Sequence, residues 1–230
     1  MNDADLLRVR EVVKALRRLR GRDVEDGRET LISKIKRWQH LAMPSIELEQ
    51  VPFRSRWREL FGEMSRRILE SWPDGDLNGV HHVGSSAIGS LRSKNMIDIA
   101  VVVAEPPPSA AHSECLERLG FENYGPGPGS PDVYWFWKLD HPEAVFVVHL
   151  CHVEDPWWQS ALDFRDYLRA YPAEAARYEE RKRYLAAEAA RNPLAYSLGK
   201  IERMLELKHR ARQWRDAVEG EKRDDVAGRV

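Results

Sequence analysis

Apolar residues recur along this chain at two spacings, and the switch between them marks out its elements. In residues 5–20 the apolar positions 6, 9, 12, 13, 16 and 19 fall at helical intervals, with Asp5 placed as an N-cap and Gly21 as a stop. A second short helical stretch runs from Thr30 to Trp38, and Pro44 closes this extension. Ile46 to Val51 alternates apolar and polar residues and predicts a first strand ending at Pro52. Ser55-Arg56-Trp57 opens an amphipathic helix with the inner face Trp57, Leu60, Phe61, Met64, Ile68 and Leu69, broken at Pro73-Asp74-Gly75. A short strand, Val80 to Val83, leads into Gly84-Ser85-Ser86. The most hydrophobic strand, Met96 to Val103, stops at Pro106-Pro107-Pro108. A helix is expected from Ala110 to Leu119 with Gly120 as its cap, then a Gly/Pro loop over 124–131. Two strands follow, 133–138 and 144–153. From Pro156 onward the pattern is helical, over 157–170, 172–190 and 193–217, with breaks at Tyr171-Pro172 and Asn192-Pro193.

This order predicts the α+β class, a mixed sheet with helices. The expected organisation is a helical extension over 1–44, an α+β core over 45–155, a helical C-terminal part over 156–217 packed on that core, and a polar tail over 218–230. Composition narrows the function. With 36 Lys+Arg against 37 Asp+Glu the net charge is -1, so affinity for phosphate must come from a local site. Residues 1–44 hold eleven basic and seven acidic side chains, a surplus too small for a nucleic-acid-binding arm. No apolar run approaches the roughly 20 residues that span a bilayer, and the polar opening is not that of a signal peptide. Cys115 and Cys151 are the two cysteines, which is no disulfide framework; a reducing, cytoplasmic setting is the expectation.

The stretch with most chemistry runs from Val80 to Ile99. A Gly-Ser turn directly after a strand can present backbone N–H groups to a phosphate, because glycine allows close approach and serine adds a hydroxyl. About a dozen residues later Asp98 interrupts an apolar strand. A buried lone carboxylate is expensive unless it is paired or holds a cation. Gly-Ser for a triphosphate and Asp for Mg²⁺ is the division of labour that phosphoryl transfer requires. His149 and His152 are candidates to complete the site, as metal ligand or base. Three residues apart on an ideal strand, they point to opposite faces. Lys94, Arg165, Lys182 and Lys200 are the cations available to a triphosphate. The aromatic run Tyr134 to Trp137 reads as a core-facing strand, and Trp157-Trp158 as a staple of the last helices onto the sheet.

These residues carry a resemblance. The segment from Ile46 to about Arg210 resembles the GrpB-like family, a branch of the nucleotidyltransferase superfamily also found fused to dephospho-CoA kinases. Val51-Pro52-Phe53 and Trp57 match its opening pattern. His82-Val83-Gly84-Ser85-Ser86-Ala87-Ile88, Leu91, Lys94 and Ile97-Asp98-Ile99 match its signature. His149-Leu150-Cys151-His152-Val153 matches a late strand. Phe164 to Arg169 with Pro172, Ala176, Tyr178 and Lys182, and then Tyr196 with Lys200, match its helical motifs. The chain departs from the pattern at Gly89 and Asn95, where the family has Pro, and at Val147, where it often has Arg. It also reads Asp98-Ile99-Ala100, where well-studied nucleotidyltransferases carry Asp-x-Asp.

The resemblance implies a nucleotidyltransferase-like mixed sheet, a helical C-terminal part and an N-terminal helical extension. It implies Mg²⁺-dependent (or Mn²⁺-dependent) transfer of a nucleotidyl group from an NTP, with ATP as the expected triphosphate, to a small-molecule or protein acceptor. A variant is ATP-dependent adenylation of a carboxylate, ending in amide bond formation. Gly84, Ser85, Ser86, Lys94, Arg165 and Lys200 would hold phosphates and Asp98 the metal. His149 or His152 would assist, and His82 and Lys182 would line the site. The expected partners are nucleotide and acceptor, with neither membrane nor nucleic acid, and a homodimer is one open arrangement. Ala100 in place of a second acid leaves open a non-catalytic nucleotide- or ligand-binding module, or an assembly module.

Overall fold

The computed structural model describes residues 50–73, 75–127, 132–188 and 193–227, so the helices expected over 1–44 and residues 46–49 of the first expected strand lie outside the described residues. Val51 forms no sheet strand. It makes one antiparallel bridge to Ser93, its N–H donating to the Ser93 carbonyl at 2.9 Å and its carbonyl accepting from Ser93 N–H at 3.1 Å. Helix α1 (Arg56–Ser71) buries Trp57, Leu60, Met64 and Ile68 in one line. Leu69, expected on that face, is 55% exposed. At about 100° per residue it sits about 120° round the helix from Trp57, beyond the buried stripe.

Five strands form one mixed sheet: β1 (Leu77–Val83), β2 (Met96–Val103), β3 (Glu122–Pro126), β4 (Tyr134–Lys138) and β5 (Val145–His152). Their spatial order is β1-β2-β5-β4-β3, with β2 and β5 parallel and the other neighbours antiparallel. Strand β3 occupies part of the segment expected as a loop. Gly125 and Pro126 read as breakers, but β3 is one of the two edge strands, where a missing N–H leaves no inner ladder broken. Helix α2 (Ala110–Arg118) starts at a capping box. Ser109 Oγ accepts from His112 N–H at 3.2 Å, and Ser109 N–H donates to His112 Nδ1 at 3.1 Å. The helix ends before Gly120, at φ 85°.

One sheet face, with Ile97, Ile99, Val101, Phe146, Val148 and Leu150, packs against α1 and α2 in the main core. Each such side chain contributes about 1.5–3 kcal/mol on burial. Helix α3 (Pro156–Ala170), helix α4 (Pro172–Glu188) and helix α5 (Pro193–Ala227) follow, each opening on proline, where no helical N–H is lost. Helix α5 continues past Glu219, where the polar tail was expected to leave the helix. The three helices share a second core with the segment after the Gly-Ser turn: Ile88 and Leu91 meet Phe164, Tyr167, Leu168, Tyr178 and Leu207. That shared core carries side chains of α3 and α4 to the turn.

Candidate functional site

Strand β1 pairs with β2 so that Val83 faces Asp98, and the chain turns sharply at the next residue. Gly84 has φ 73° and ψ -172°, a conformation essentially confined to glycine. A Cβ there would also collide with the Asp98 carboxylate. The turn Ser85–Ala87 closes with Ala87 N–H on the Gly84 carbonyl at 3.3 Å and Ile88 N–H on the Ser85 carbonyl at 3.1 Å. Ser86 is fully buried, its Oγ 3.2 Å from His82 Nε2. His82 lies on the main-core side of β1, stacked on Phe61 at 4.7 Å between ring centroids. Burial and the nearby Arg169, Arg165 and Arg58 hold its imidazole down to about 4, against the pull of Asp98. His82 and Ser86 thus brace the turn from behind, while half-buried Ser85 turns its Oγ toward Lys182.

Asp98 stands on the opposite sheet face with Ala100, and register sets its neighbours. Ala100 pairs with His81 on one side and His149 on the other. His149 Nε2 lies 3.1 Å from Asp98 Oδ1. Its ring is edge-on to Trp135 at 5.1 Å and tilted against Trp157 at 4.7 Å, and its buried Nδ1 has no hydrogen-bond partner. His152 is not brought to Asp98. Its Nε2 meets the Ala104 carbonyl at 2.7 Å and its Nδ1 accepts from Glu154 N–H at 3.3 Å, holding the chain after β5. Of the two expected histidines, alternation along the strand delivers one. Trp158 stacks on His81 at 5.8 Å, so the Trp157-Trp158 pair seats the start of α3 on this face.

Three lysines gather on the other side of the turn. Lys182 of α4 is 2% exposed, its Nζ 3.2 Å from Ser85 Oγ and 2.7 Å from the Arg92 carbonyl. Burial first, then the charges of Lys200 and Lys94, bring its ammonium down to about 7, with Glu179 opposing. Lys94 is lowered to about 8 by burial and by Lys200, against Asp98. The amines of residues 94, 182 and 200, far apart in sequence, therefore share one electrostatic neighbourhood with Asp98 and Ser85.

Arg165 has partners other than the phosphate expected of it. Nη1 donates to the His82 carbonyl at 2.9 Å, and Nε and Nη2 bind both oxygens of Asp166 at 2.7 and 2.8 Å. Arg169, one helical turn on, donates from Nε and Nη2 to the Ala87 carbonyl at 3.1 and 2.7 Å. The pair clamps the Gly-Ser turn onto α3. Sequence reasoning missed Arg169, although its i, i+4 spacing from Arg165 on one helix face is a visible signal. It also missed Asn95, which accepts from Trp57 Nε1 at 2.9 Å and donates to the Glu143 carbonyl at 2.7 Å, fixing the start of β2. Arg92 N–H donates to Glu179 at 2.8 Å, which ties the segment before β2 to α4.

Among the described residues no group of three or more His, Cys, Asp or Glu side chains is placed to hold a metal. The oxygen donor at the site is the partly exposed Asp98 carboxylate, and Ala100 and Val147 beside it offer no ligand. That set fits one Mg²⁺ held jointly with phosphate oxygens of a nucleotide, because Mg²⁺ commonly takes one or two carboxylates plus substrate phosphates. It does not fit a pair of ions bridged by several carboxylates. No helix among the described residues is long and apolar enough to cross a membrane.

The family profile described as GrpB protein matches residues 47–210. YqkA of Bacillus subtilis (strain 168), a UPF0157 protein, is 28% identical over 173 residues; the match covers 75% of this chain, which spans 49% of YqkA. A UPF0157 protein of Deinococcus radiodurans is 33% identical over 137 residues, covering 60% of this chain and 68% of that protein. The crystal structure of the conserved protein GrpB from Enterococcus faecalis superposes with a TM-score of 0.58 at 27% identity, covering 69% of this chain and 98% of that one. A structure of the Cid1 poly(U) polymerase covers 61% of this chain with a TM-score of 0.41 at 16% identity, too loose a likeness to bear on the reaction. With most of the chain matched, from just before Val51 to Arg210 on α5, and with Gly84, Ser85 and Asp98 within that span, this protein belongs to the GrpB family.

Proposed function

We propose that this protein binds a nucleoside triphosphate, with ATP as the first candidate, between the Gly84-Ser85 turn and Asp98, and transfers its nucleotidyl group to an acceptor. The observation that carries this reading is the contact of buried Lys182 with Ser85, in a neighbourhood where Lys94 and Lys200 repel its charge and Asp98 draws on Lys94. Clustered amines whose charge is disfavoured by burial and mutual repulsion are relieved by a polyanion. Lys94 and Lys200 neutralise phosphate oxygens, and the clamped turn keeps its backbone N–H groups in place before substrate arrives. Asp98 would hold Mg²⁺ together with the phosphates, and the ion would supply charge neutralisation at the transferred group. His149 holds Asp98 Oδ1, which orients the carboxylate.

Calorimetry with ATP and Mg²⁺, followed by assay of pyrophosphate release with candidate acceptors, tests the reading. Asp98→Asn keeps the side-chain shape and removes the charge, so Mg²⁺-dependent binding should fall at least tenfold while the fold survives. If ATP affinity stays intact and the melting temperature drops instead, Asp98 is a structural residue. Ala100, with no ligand where a second acid would stand, favours a second reading: a nucleotide-binding module without transfer. Binding without pyrophosphate release from any acceptor, carboxylates included, would select it.

A further inference from the structure

Ser85 and Ser86 are adjacent but differ in setting. Ser86 is fully buried and engaged by His82, whereas Ser85 is half-buried and its Oγ lies 3.2 Å from Lys182 Nζ. We propose that Ser85 is itself a nucleotidyl acceptor, a nucleophile whose proton passes to Lys182. The proposal rests on the triphosphate reading above.

The geometry suits a neutral amine. Such an amine has two N–H donors and one lone pair. The Arg92 carbonyl, 2.7 Å away, takes one N–H, and the lone pair can accept the Ser85 hydroxyl. A buried serine–lysine pair of this kind is a recognised way to activate a hydroxyl without histidine. Burial and the charges of Lys200 and Lys94 disfavour a resident ammonium, against the pull of Glu179, whose carboxylate also accepts the Arg92 N–H. The lowered ammonium, at about 7, leaves a large neutral fraction near neutral pH. The Tyr178 ring, 5.2 Å from Nζ, accommodates the charge once the proton has arrived.

The step balances within the named reactants. Ser85 Oγ forms a bond to the α-phosphorus of the triphosphate, and the bond from that phosphorus to the bridging oxygen of the β-phosphate breaks. Pyrophosphate leaves with the electron pair, and the hydroxyl proton moves to Lys182 Nζ. The product is a serine phosphodiester, which keeps the nucleotide as a modification or passes it to a second acceptor.

The test uses the full chain with Mg²⁺ and ATP carrying label on the α-phosphate, quenched in acid and read by intact mass and peptide mapping. The expected result is one adduct with the mass of a nucleoside monophosphate, acid-stable as an oxygen ester is and a lysine phosphoramidate is not, on the peptide holding Ser85. It should vanish in Ser85→Ala and form at least tenfold more slowly in Lys182→Met, whose folding is checked by thermal melting. Wild-type protein that binds ATP by calorimetry, or releases pyrophosphate to a soluble acceptor, yet forms no adduct overturns the nucleophile and leaves the nucleotide reading standing. An adduct at another residue, or one carrying the γ-phosphate, overturns it as well. If ATP does not bind, both fall together.

Discussion

Gly84 meets two separate constraints: a backbone conformation closed to side chains, and a carboxylate where a methyl group would go. Gly84→Ala should therefore lose about 1–3 kcal/mol of stability from backbone strain, read by urea unfolding. The displaced Asp98 should lose metal-dependent nucleotide affinity as well. Equal stability of variant and wild type would show that the turn relaxes without strain. Asp98 and His149 act at the same scale. The His149 hydrogen bond fixes one carboxylate oxygen, and Trp135 and Trp157 fix the ring. Asn at position 98 can still accept that bond through its amide oxygen, which is why the charge can be removed there without dismantling the site.

Among the elements, α3 holds the turn more than it contacts a ligand. Arg165 and Arg169 together bind the carbonyls of His82 and Ala87 and share Asp166. Hydrogen bonds from a charged group are worth about 1.5–3 kcal/mol when dry, and less here because Arg169 is partly exposed. Replacing both arginines by methionine should speed amide exchange at Ala87 and Ile88 severalfold while β2 and β5 keep their protection. Uniform loss of protection across the sheet would instead make the pair a global support. The β2–β5 pair is the other decisive element, since its parallel register sets His149 against Ala100 and carries His152 past the site.

For the whole molecule, the lysine cluster makes stability and ligand binding depend on pH. Lys182 and Lys94 fall from an ordinary 10.5 to about 7 and about 8. Between those values and 10.5 the unfolded chain binds more protons than the folded one, so stability rises with pH over that window. Below about 7 the Lys182 penalty is fully present. The stability of Lys182→Met relative to wild type should therefore fall as pH rises from about 7 toward 10, as followed by chemical denaturation. The converse holds for a polyanion. ATP binding at pH 8 should take up protons, measurable by calorimetry in buffers of different ionisation enthalpy. A pH-independent gap between variant and wild type would show that Lys182 is not held below its ordinary value.

The amino-acid sequence by itself determined the elements and the ingredients of the site. Periodicity placed α1 and the three C-terminal helices, because burial on one face is written into local spacing, and continuous apolar runs placed β2 and β5, which are buried on both faces. It also singled out Gly84-Ser85 and Asp98, because a glycine turn and a lone acid in an apolar strand break the local pattern. Tertiary structure decided which ingredients meet. Lys182 reaches Ser85 across 97 residues only because α4 shares a core with Ile88 and Leu91. Arg165 looks like a phosphate ligand in sequence; only the packing of α3 beside β1 shows that it also reaches the His82 carbonyl, 83 residues away, while pairing with Asp166. Strand β3 hides behind Gly and Pro because edge position, a property of the assembled sheet, is what tolerates them. Spacing is local and can be read along the chain. Register, shared cores and the balance of buried charge exist only once distant segments have packed.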